Sequence, residues 1–274
     1  MKFPILVTAL AFLFVSCEEL EDALNLGLSD EEIVEGLKEA LDTGLDSAVT
    51  SGSAVDGYLK NEAIKVLLPE EVTKLQDEID AGSINLGFTT VSYQQLLDLY
   101  VETNQNIDTD PFEELIVAMN RGAEKAATKA TPIFVDAITS MSFTDALGIL
   151  QGGETAATDY FKTKTSTSLI SAFQPDIKTA LGETAATDIY TGVVDFLNHE
   201  ETFSLGPLSQ TVKVNQYIGK DLNLPETLDE YATTKAVDGL FHLVGEEEKK
   251  IRKDPLQYAS DIIQKVFTSD EANG

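Results

Sequence analysis

Residues 119–161 read MNRGAEKAATKATPIFVDAITSMSFTDALGILQGGETAATDYF, and the spacing within this stretch indicates the fold class. Small and apolar residues recur every three or four positions, as they do on the buried face of an α-helix. Gly122, Ala126 and Ala130 are spaced by four, so one face of the first helix has little bulk and allows another helix to approach closely. Asp110, followed by a proline, is a favourable N-terminal cap for this helix. The stretch therefore predicts helices packed side by side.

The same helix carries polar side chains that allow two interpretations. Asn120 and Glu124 lie on one stripe, and Arg121, Lys125 and Lys129 lie on another. In the first interpretation these residues form a solvated face, with the cations paired to carboxylates elsewhere in an acidic chain. In the second, Asn120, Arg121 and Glu124 form a buried cluster that lines a pocket.

The rest of the stretch predicts further short helices. Pro132 either kinks the first helix or begins a new turn. Ser142 or Thr144 can cap the next helix, with Asp145 in its first turn, where a negative charge is favourable. Gly152–Gly153 is a suitable end for that helix.

Four segments of the chain, taken together, resemble the bacterial family of domains of unknown function numbered 4197. They are MNRGAEKA, FTDALGIL, GGETAATDYF and DGLFHLVGEEEKKIRKDP. The resemblance extends from about Leu28 to Phe267, although the first motif usually has alanine where this chain has Gly122. It implies an all-helical envelope protein without an established activity, and it assigns no catalytic residue.

Helical patterns continue on both sides of the central stretch. Ser29 and Glu32 predict a capping box for a helix that reaches Val49. Pro69 begins a second helix that ends near Gly82. The whole pattern predicts an all-α protein, a bundle of roughly ten helices.

Breaks between the later helices are predicted from glycine, proline and polar residues. Residues 83–90 are expected to form an irregular connection, and Pro175 is expected to end or kink a long helix. Loops at residues 205–207 and 223–225 are expected to flank a shorter helix, and Gly245 is expected to break the helix that follows.

The N-terminus predicts a secreted lipoprotein. Residues 1–16 have the basic start, apolar run and small final residue of a signal peptide, and the run is too short for an ordinary membrane-spanning helix. Cys17, the only cysteine, occupies the position that is acylated in bacterial lipoproteins. The preceding Leu13 is four residues away instead of the common three, a looser pattern that resembles lipoproteins of the Bacteroidetes group. The alternative is a soluble secreted chain with a chance cysteine.

These patterns divide the chain into four parts and predict its location. The signal peptide is followed by a lipidated cysteine and acidic tether at residues 17–28, a single all-helical domain at residues 29–267, and a flexible tail at residues 268–274. We expect the lipid on Cys17 to hold the protein in the cell envelope, at the outer membrane, facing either the periplasm or the cell surface.

Composition excludes several classes of partner and chemistry. A net charge of −28 argues against nucleic acid, because such proteins need a positive field to replace phosphate counterions. One cysteine cannot form an internal disulfide. His242 and Glu246 are four residues apart, but two ligands without a third do not predict a zinc site. With no phosphate-binding loop and no G-x-S-x-G motif, we expect no cofactor and no serine hydrolase.

The preferred hypothesis is a lipid-anchored binding or structural module. Its partner would be a protein, a glycan or an apolar molecule held between helices. The alternative is an envelope hydrolase in which carboxylates such as Glu124 and Asp145 perform acid–base chemistry on glycans. The polar residues expected to line the site are Asn120, Arg121, Glu124, Asp145 and Arg252.

Overall fold

The computed structural model describes residues 27–103, 110–183, 186–220, 222–225 and 228–273. Within these ranges the chain forms eleven α-helices and two small antiparallel sheets, which confirms the predicted mostly helical bundle. The predicted signal peptide and Cys17 lie outside the described residues. The helices are α1 (Asp30–Ser53), α2 (Glu70–Ala81), α3 (Tyr93–Thr103), α4 (Pro111–Ala127), α5 (Ala130–Thr139), α6 (Phe143–Leu150), α7 (Ala156–Glu183), α8 (Ala186–Asn198), α9 (Asp229–Lys253), α10 (Asp261–Phe267) and α11 (Asp270–Asn273).

Local capping signals position several helix starts as predicted. The Ser29 side chain accepts a hydrogen bond from the Glu32 amide, and the Glu32 side chain accepts one from the Ser29 amide. Asp110 caps α4 by accepting from the Phe112 amide. Ser142 and Asp145 form a second reciprocal box at α6. These short-range bonds satisfy amide groups that a helix start would otherwise leave unpaired.

The core lies where α1, α4, α7 and α9 pack together. α9 packs against both α7 and α1, while α4 packs against α7 and α8. Phe134 of α5 contacts the edges of two other buried rings, with centroid distances of 5.3 Å to Phe161 and 6.2 Å to Phe241. Ala126 and Ala130 are fully buried, as expected for a small-residue face against which other helices pack closely.

Two hairpins replace segments for which other structures were predicted. Strands β1 (Ser83–Asn85) and β2 (Thr90–Ser92) pair where an irregular connection was expected. Strands β3 (Glu200–Leu205) and β4 (Leu208–Lys213) also pair, and β4 occupies the first part of the segment for which a shorter helix was expected. Threonine, valine and phenylalanine in β3 and β4 favour strands, and Gly206, with φ +62°, supplies the turn between them.

Pro175 does not end its helix, and the predicted break at Gly245 is wrong. α7 continues through Pro175, because the flanking residues Phe173 and Ile177 are both fully buried and hold the helix in place. Their packing outweighs the roughly 3 kcal/mol that an interior proline costs. α9 continues through Gly245 for a similar reason, since Glu248 lies in the next turn and is anchored to α7.

The break between α4 and α5 comes before Pro132. α4 ends at Ala127 and α5 begins at Ala130, which places Pro132 in the first turn of α5. A proline is tolerated there because its missing amide donor has no partner in the preceding turn. Of the helices described, none alone combines the length and hydrophobicity needed to cross a membrane; α5 and α6 meet that test only as a pair bent by 107°.

Candidate functional site

Asn120 on α4 is fully buried and binds the backbone of the segment that joins α1 to α2. Its side-chain oxygen accepts from the Val66 amide at 2.8 Å, and its side-chain nitrogen donates to the Val66 carbonyl at 2.8 Å. The same nitrogen donates to the Ile116 carbonyl at 2.7 Å. A buried amide with these partners is satisfied, so Asn120 acts as a clamp between two parts of the chain.

Glu124 lies one turn further along α4 and binds the same connecting segment. One carboxylate oxygen accepts from the amides of Tyr58 and Leu59, both at 3.2 Å. The other oxygen accepts from Arg121 at 2.6 Å. Glu124 is only 5% exposed, and these three donors compensate for moving its charge out of water.

Arg121 completes an ion network at the edge of this cluster. It donates to Asp56 at 2.7 Å as well as to Glu124, and Lys60 contacts the other oxygen of Asp56 at 2.8 Å. Lys60, followed by Arg121, lowers the pKa of the Asp56 carboxyl below its ordinary value. The hydrogen bonds that Arg121 donates to Glu124 and Asp56 raise the pKa of its guanidinium. Asp56 also has a positive φ of 67°, a conformation that this network holds in place.

The three predicted residues of α4, Asn120, Arg121 and Glu124, are therefore brought together, and we term them the α4 cluster. Asn120 and Glu124 are buried, in agreement with the second of the two interpretations, but the polar atoms of the cluster bind neighbouring parts of the chain. Each of its hydrogen bonds to the segment before α2 helps to fix that segment against α4. Ligand binding by the cluster stays a prediction.

The other two predicted residues lie at other places in the fold. Asp145 belongs to the capping box of α6, where hydrogen bonds from the Ser142 side chain and amide lower the pKa of its carboxyl. Arg252 lies on α9, where it donates to the Ile149 and Leu150 carbonyls at 2.7 and 3.1 Å. Asp145 and Glu124 thus have separate sets of hydrogen-bonding partners.

Glu248, which was not among the predicted site residues, binds the beginning of α7. It accepts from the amides of Ala157 and Thr158 and from the Thr158 hydroxyl, each at 2.9 Å. It also pairs with Arg252 at 2.9 Å, with 7% of the Glu248 side chain exposed. The favourable Glu-to-Arg spacing of four was visible in the sequence, but no local signal connects Glu248 to residues ninety positions earlier.

A small apolar cavity lies beside this pair, between α1, α6, α7 and α9. Its volume is about 20 Å³, which is room for roughly one water molecule. Leu41, Phe161 and Ile251 are among the residues that line it. The cavity is too small to hold an apolar ligand without movement of the surrounding helices.

Larger open spaces occur at the surface formed by α2, α3 and their neighbours. A groove of about 440 Å³ is bordered by Glu78, Gly82, Tyr93, Tyr217 and Lys220, and we term it the tyrosine groove. None of these residues was among the predicted site residues. Glu78 and Gly219 are hydrogen-bonded although they are 141 positions apart, so no local sequence pattern could have joined the two sides.

A second groove of about 350 Å³ lies near the start of α4, and we term it the acidic groove. Its carboxylates are Asp80, Asp98, Glu102 and Asp110. Within the ranges that the structure describes, no three histidine, cysteine or carboxylate side chains are arranged to hold a metal ion.

Comparison with known proteins identifies the family of this chain. No curated protein and no solved structure matches the chain significantly. The family described as "Protein of unknown function (DUF4197)" matches residues 27–91 and 103–268, which is most of the chain and agrees with the resemblance of the central motifs. The chain therefore belongs to the DUF4197 family.

Proposed function

We propose that this protein is a lipid-anchored module of the bacterial cell envelope that works by binding a ligand at its surface. This proposal rests on one observation: among the described residues, the space large enough for a ligand lies at the surface of the bundle and not in its interior. The buried polar residues Asn120, Glu124 and Glu248 bind other parts of the chain, and the internal cavity has room for about one water molecule. The tyrosine groove is open and has a volume typical of small-molecule clefts, roughly 300–1,000 Å³.

The hydrogen bonding of the carboxylates favours binding over hydrolysis. A glycoside hydrolase needs two carboxyl groups on either side of one bond. Glu124 is held by Tyr58, Leu59 and Arg121, whereas Asp145 is held by Ser142 at the start of α6. Each carboxylate therefore has a local structural role that accounts for its position.

The anchor is proposed from the sequence around Cys17. A lipid on this residue, followed by an acidic tether, would hold the helical bundle at the outer membrane. The test is metabolic labelling of the expressed protein with a radioactive fatty acid, followed by membrane fractionation. We expect label and membrane association in the native chain and loss of both in Cys17→Ala. Label that persists in Cys17→Ala would contradict the anchor.

Binding is tested by native mass spectrometry of residues 17–274 carrying Cys17→Ser, which lack the lipid. The protein is incubated with the glycan and lipid fraction of a bacterial envelope extract. We expect a discrete added mass that is lost in Tyr217→Ala and retained in Leu256→Ala, because Leu256 is exposed outside the groove. An unmodified mass under all conditions would contradict a small-molecule binding function.

A further inference from the structure

We propose that the tyrosine groove binds a neutral oligosaccharide, with the rings of Tyr93 and Tyr217 as the stacking surface and Glu78 and Lys220 as hydrogen-bonding groups. This inference rests on the proposed binding function and specifies its ligand class. The groove combines residues from α2, from the start of α3 and from the segment after β4.

The position of Tyr93 is fixed by a glycine. The Tyr93 amide donates a hydrogen bond to the Gly82 carbonyl at 3.1 Å. A Cβ atom at Gly82 would overlap the Cδ2 and Cε2 atoms of the Tyr93 ring, so the ring lies directly against the Gly82 backbone. Burial raises the pKa of the Tyr93 hydroxyl, with smaller contributions from nearby Glu78 and Tyr217. Tyr93 therefore borders the groove with part of its ring against the Gly82 backbone.

The opposite side of the groove is held by Glu78. One of its carboxylate oxygens accepts from the Gly219 amide at 2.8 Å. Gly219 has a φ of +66°, and a Cβ there would lie 3.0 Å from the Leu197 side chain. Glu78 and Gly219 therefore hold the backbone of the segment that carries Tyr217 and Lys220 before any ligand arrives, which lowers the entropic cost of binding.

The chemistry of these side chains suits a sugar. Tyr217 is 42% exposed and Tyr93 is half-buried, so both offer part of an aromatic surface to the groove. The C–H face of a pyranose ring is weakly polar and packs on an aromatic face, while the sugar hydroxyls need partners. The Glu78 carboxylate accepts, the Lys220 ammonium donates, and tyrosine hydroxyls do both.

The local charge favours a neutral ligand over a basic peptide. The whole chain has a net charge of −28 and would attract cations. At this groove, however, the positive charge of Lys220 offsets the negative charge of Glu78. A basic peptide would meet more carboxylates at the acidic groove, which is lined by Asp80, Asp98, Glu102 and Asp110. The tyrosine groove is therefore the less acidic of the two surfaces.

The test is an NMR titration of residues 17–274 carrying Cys17→Ser and labelled at tyrosine with ¹³C. The probes are two neutral trisaccharides, chitotriose and cellotriose, and the cationic peptide pentalysine. We expect at least one trisaccharide to shift the Tyr93 and Tyr217 resonances, and pentalysine not to shift them. Tyr217→Ala should weaken binding about fivefold to tenfold, as expected for loss of one aromatic contact. Leu256→Ala should leave it unchanged.

Two results would overturn this inference. One is the absence of shifts at both tyrosines with either trisaccharide. The other is trisaccharide binding of equal affinity in Tyr217→Ala, which would place the sugar elsewhere. Because Tyr217 is exposed, its replacement is expected to leave the fold intact, and an unchanged thermal midpoint confirms this. An envelope-derived mass that survives Tyr217→Ala would leave the general binding function standing while this site fails.

Discussion

Glu248 and Arg252, one turn apart on α9, bind opposite ends of two consecutive helices. Glu248 accepts hydrogen bonds from the first amides of α7, and Arg252 donates to the last carbonyls of α6. Each charge therefore lies at the helix end whose dipole it complements. The ion pair between them lies within α9, and the hydrogen bonds of its two members connect α9 to the facing ends of α6 and α7.

Replacing Glu248 with glutamine should destabilise the protein by about 2–4 kcal/mol, because a neutral amide cannot accept these bonds as strongly and leaves Arg252 without its counter-charge. Urea unfolding followed by circular dichroism measures the change. The matched control is Glu246→Gln, because Glu246 pairs with Lys249 at the surface. This substitution should lower the free energy of unfolding by less than about 1 kcal/mol. Equal effects of the two substitutions would contradict the role of Glu248.

Replacing Asn120 with alanine should also cost about 2–4 kcal/mol, because it leaves the buried amide and carbonyl of Val66 without partners. Hydrogen exchange provides the specific readout, since the Val66 amide should exchange faster in the variant than in the native protein. The control is Asn198→Ala, which removes an exposed asparagine bound to the Val194 carbonyl. Unchanged exchange at Val66 would show that Asn120 does not hold this segment.

The packing of α1 against α10 makes a prediction about Gly36. A Cβ atom there would overlap the Val266 side chain and lie 3.0 Å from the Ile262 carbonyl oxygen. Gly36→Ala should therefore destabilise the fold by about 1–3 kcal/mol through overpacking. Gly148→Ala is the opposite case, because nothing lies within 4 Å of the position that an added Cβ atom would take. Alanine favours the helix more than glycine does, so this substitution should stabilise the fold by about 0.5–1 kcal/mol. Thermal unfolding of both variants should show midpoint shifts of opposite sign.

Glu32 provides a prediction about pH. A hydrogen bond from Lys265, at 2.5 Å, together with those from Ser29, lowers its pKa from 4.5 to about 2. A depressed pKa stabilises the folded state above the unfolded value, so this contribution is present above about pH 4.5 and is lost as the pH falls through about 2.

NMR titration of the Glu32 carboxyl should give a midpoint near 2 in the native protein. Lys265→Ala should move the midpoint upward, because the largest cause of the shift is then absent. An unchanged midpoint in this variant would show that Ser29 alone lowers the pKa.

Features that depend on neighbouring residues were predicted well from the sequence. The caps at Ser29, Asp110 and Ser142 require only the next two or three residues, and all three are present in the structure. The helical spacing of the central stretch likewise predicted the fold class, because a buried helix face repeats within a few positions.

Features that depend on distant contacts could not be predicted in the same way. Pro175 and Gly245 are local helix breakers, yet packing with other helices keeps α7 and α9 continuous. The two sides of the tyrosine groove meet only after folding, through the contact between Glu78 and Gly219. The burial of Glu124 was one of two open alternatives, since its partners Tyr58 and Leu59 lie more than sixty positions earlier.

The bonds made by α9 also impose an order on assembly. The amides of Ala157 and Thr158 donate to the Glu248 carboxylate, which follows them by 91 and 90 positions. The Tyr58 hydroxyl donates to the Ala236 carbonyl, 178 positions later. A chain synthesised from its N-terminus therefore cannot form these bonds until α9 has been made. A chain that lacks α9 leaves these buried donors without their partners, and the core closes only when distant parts of the sequence meet.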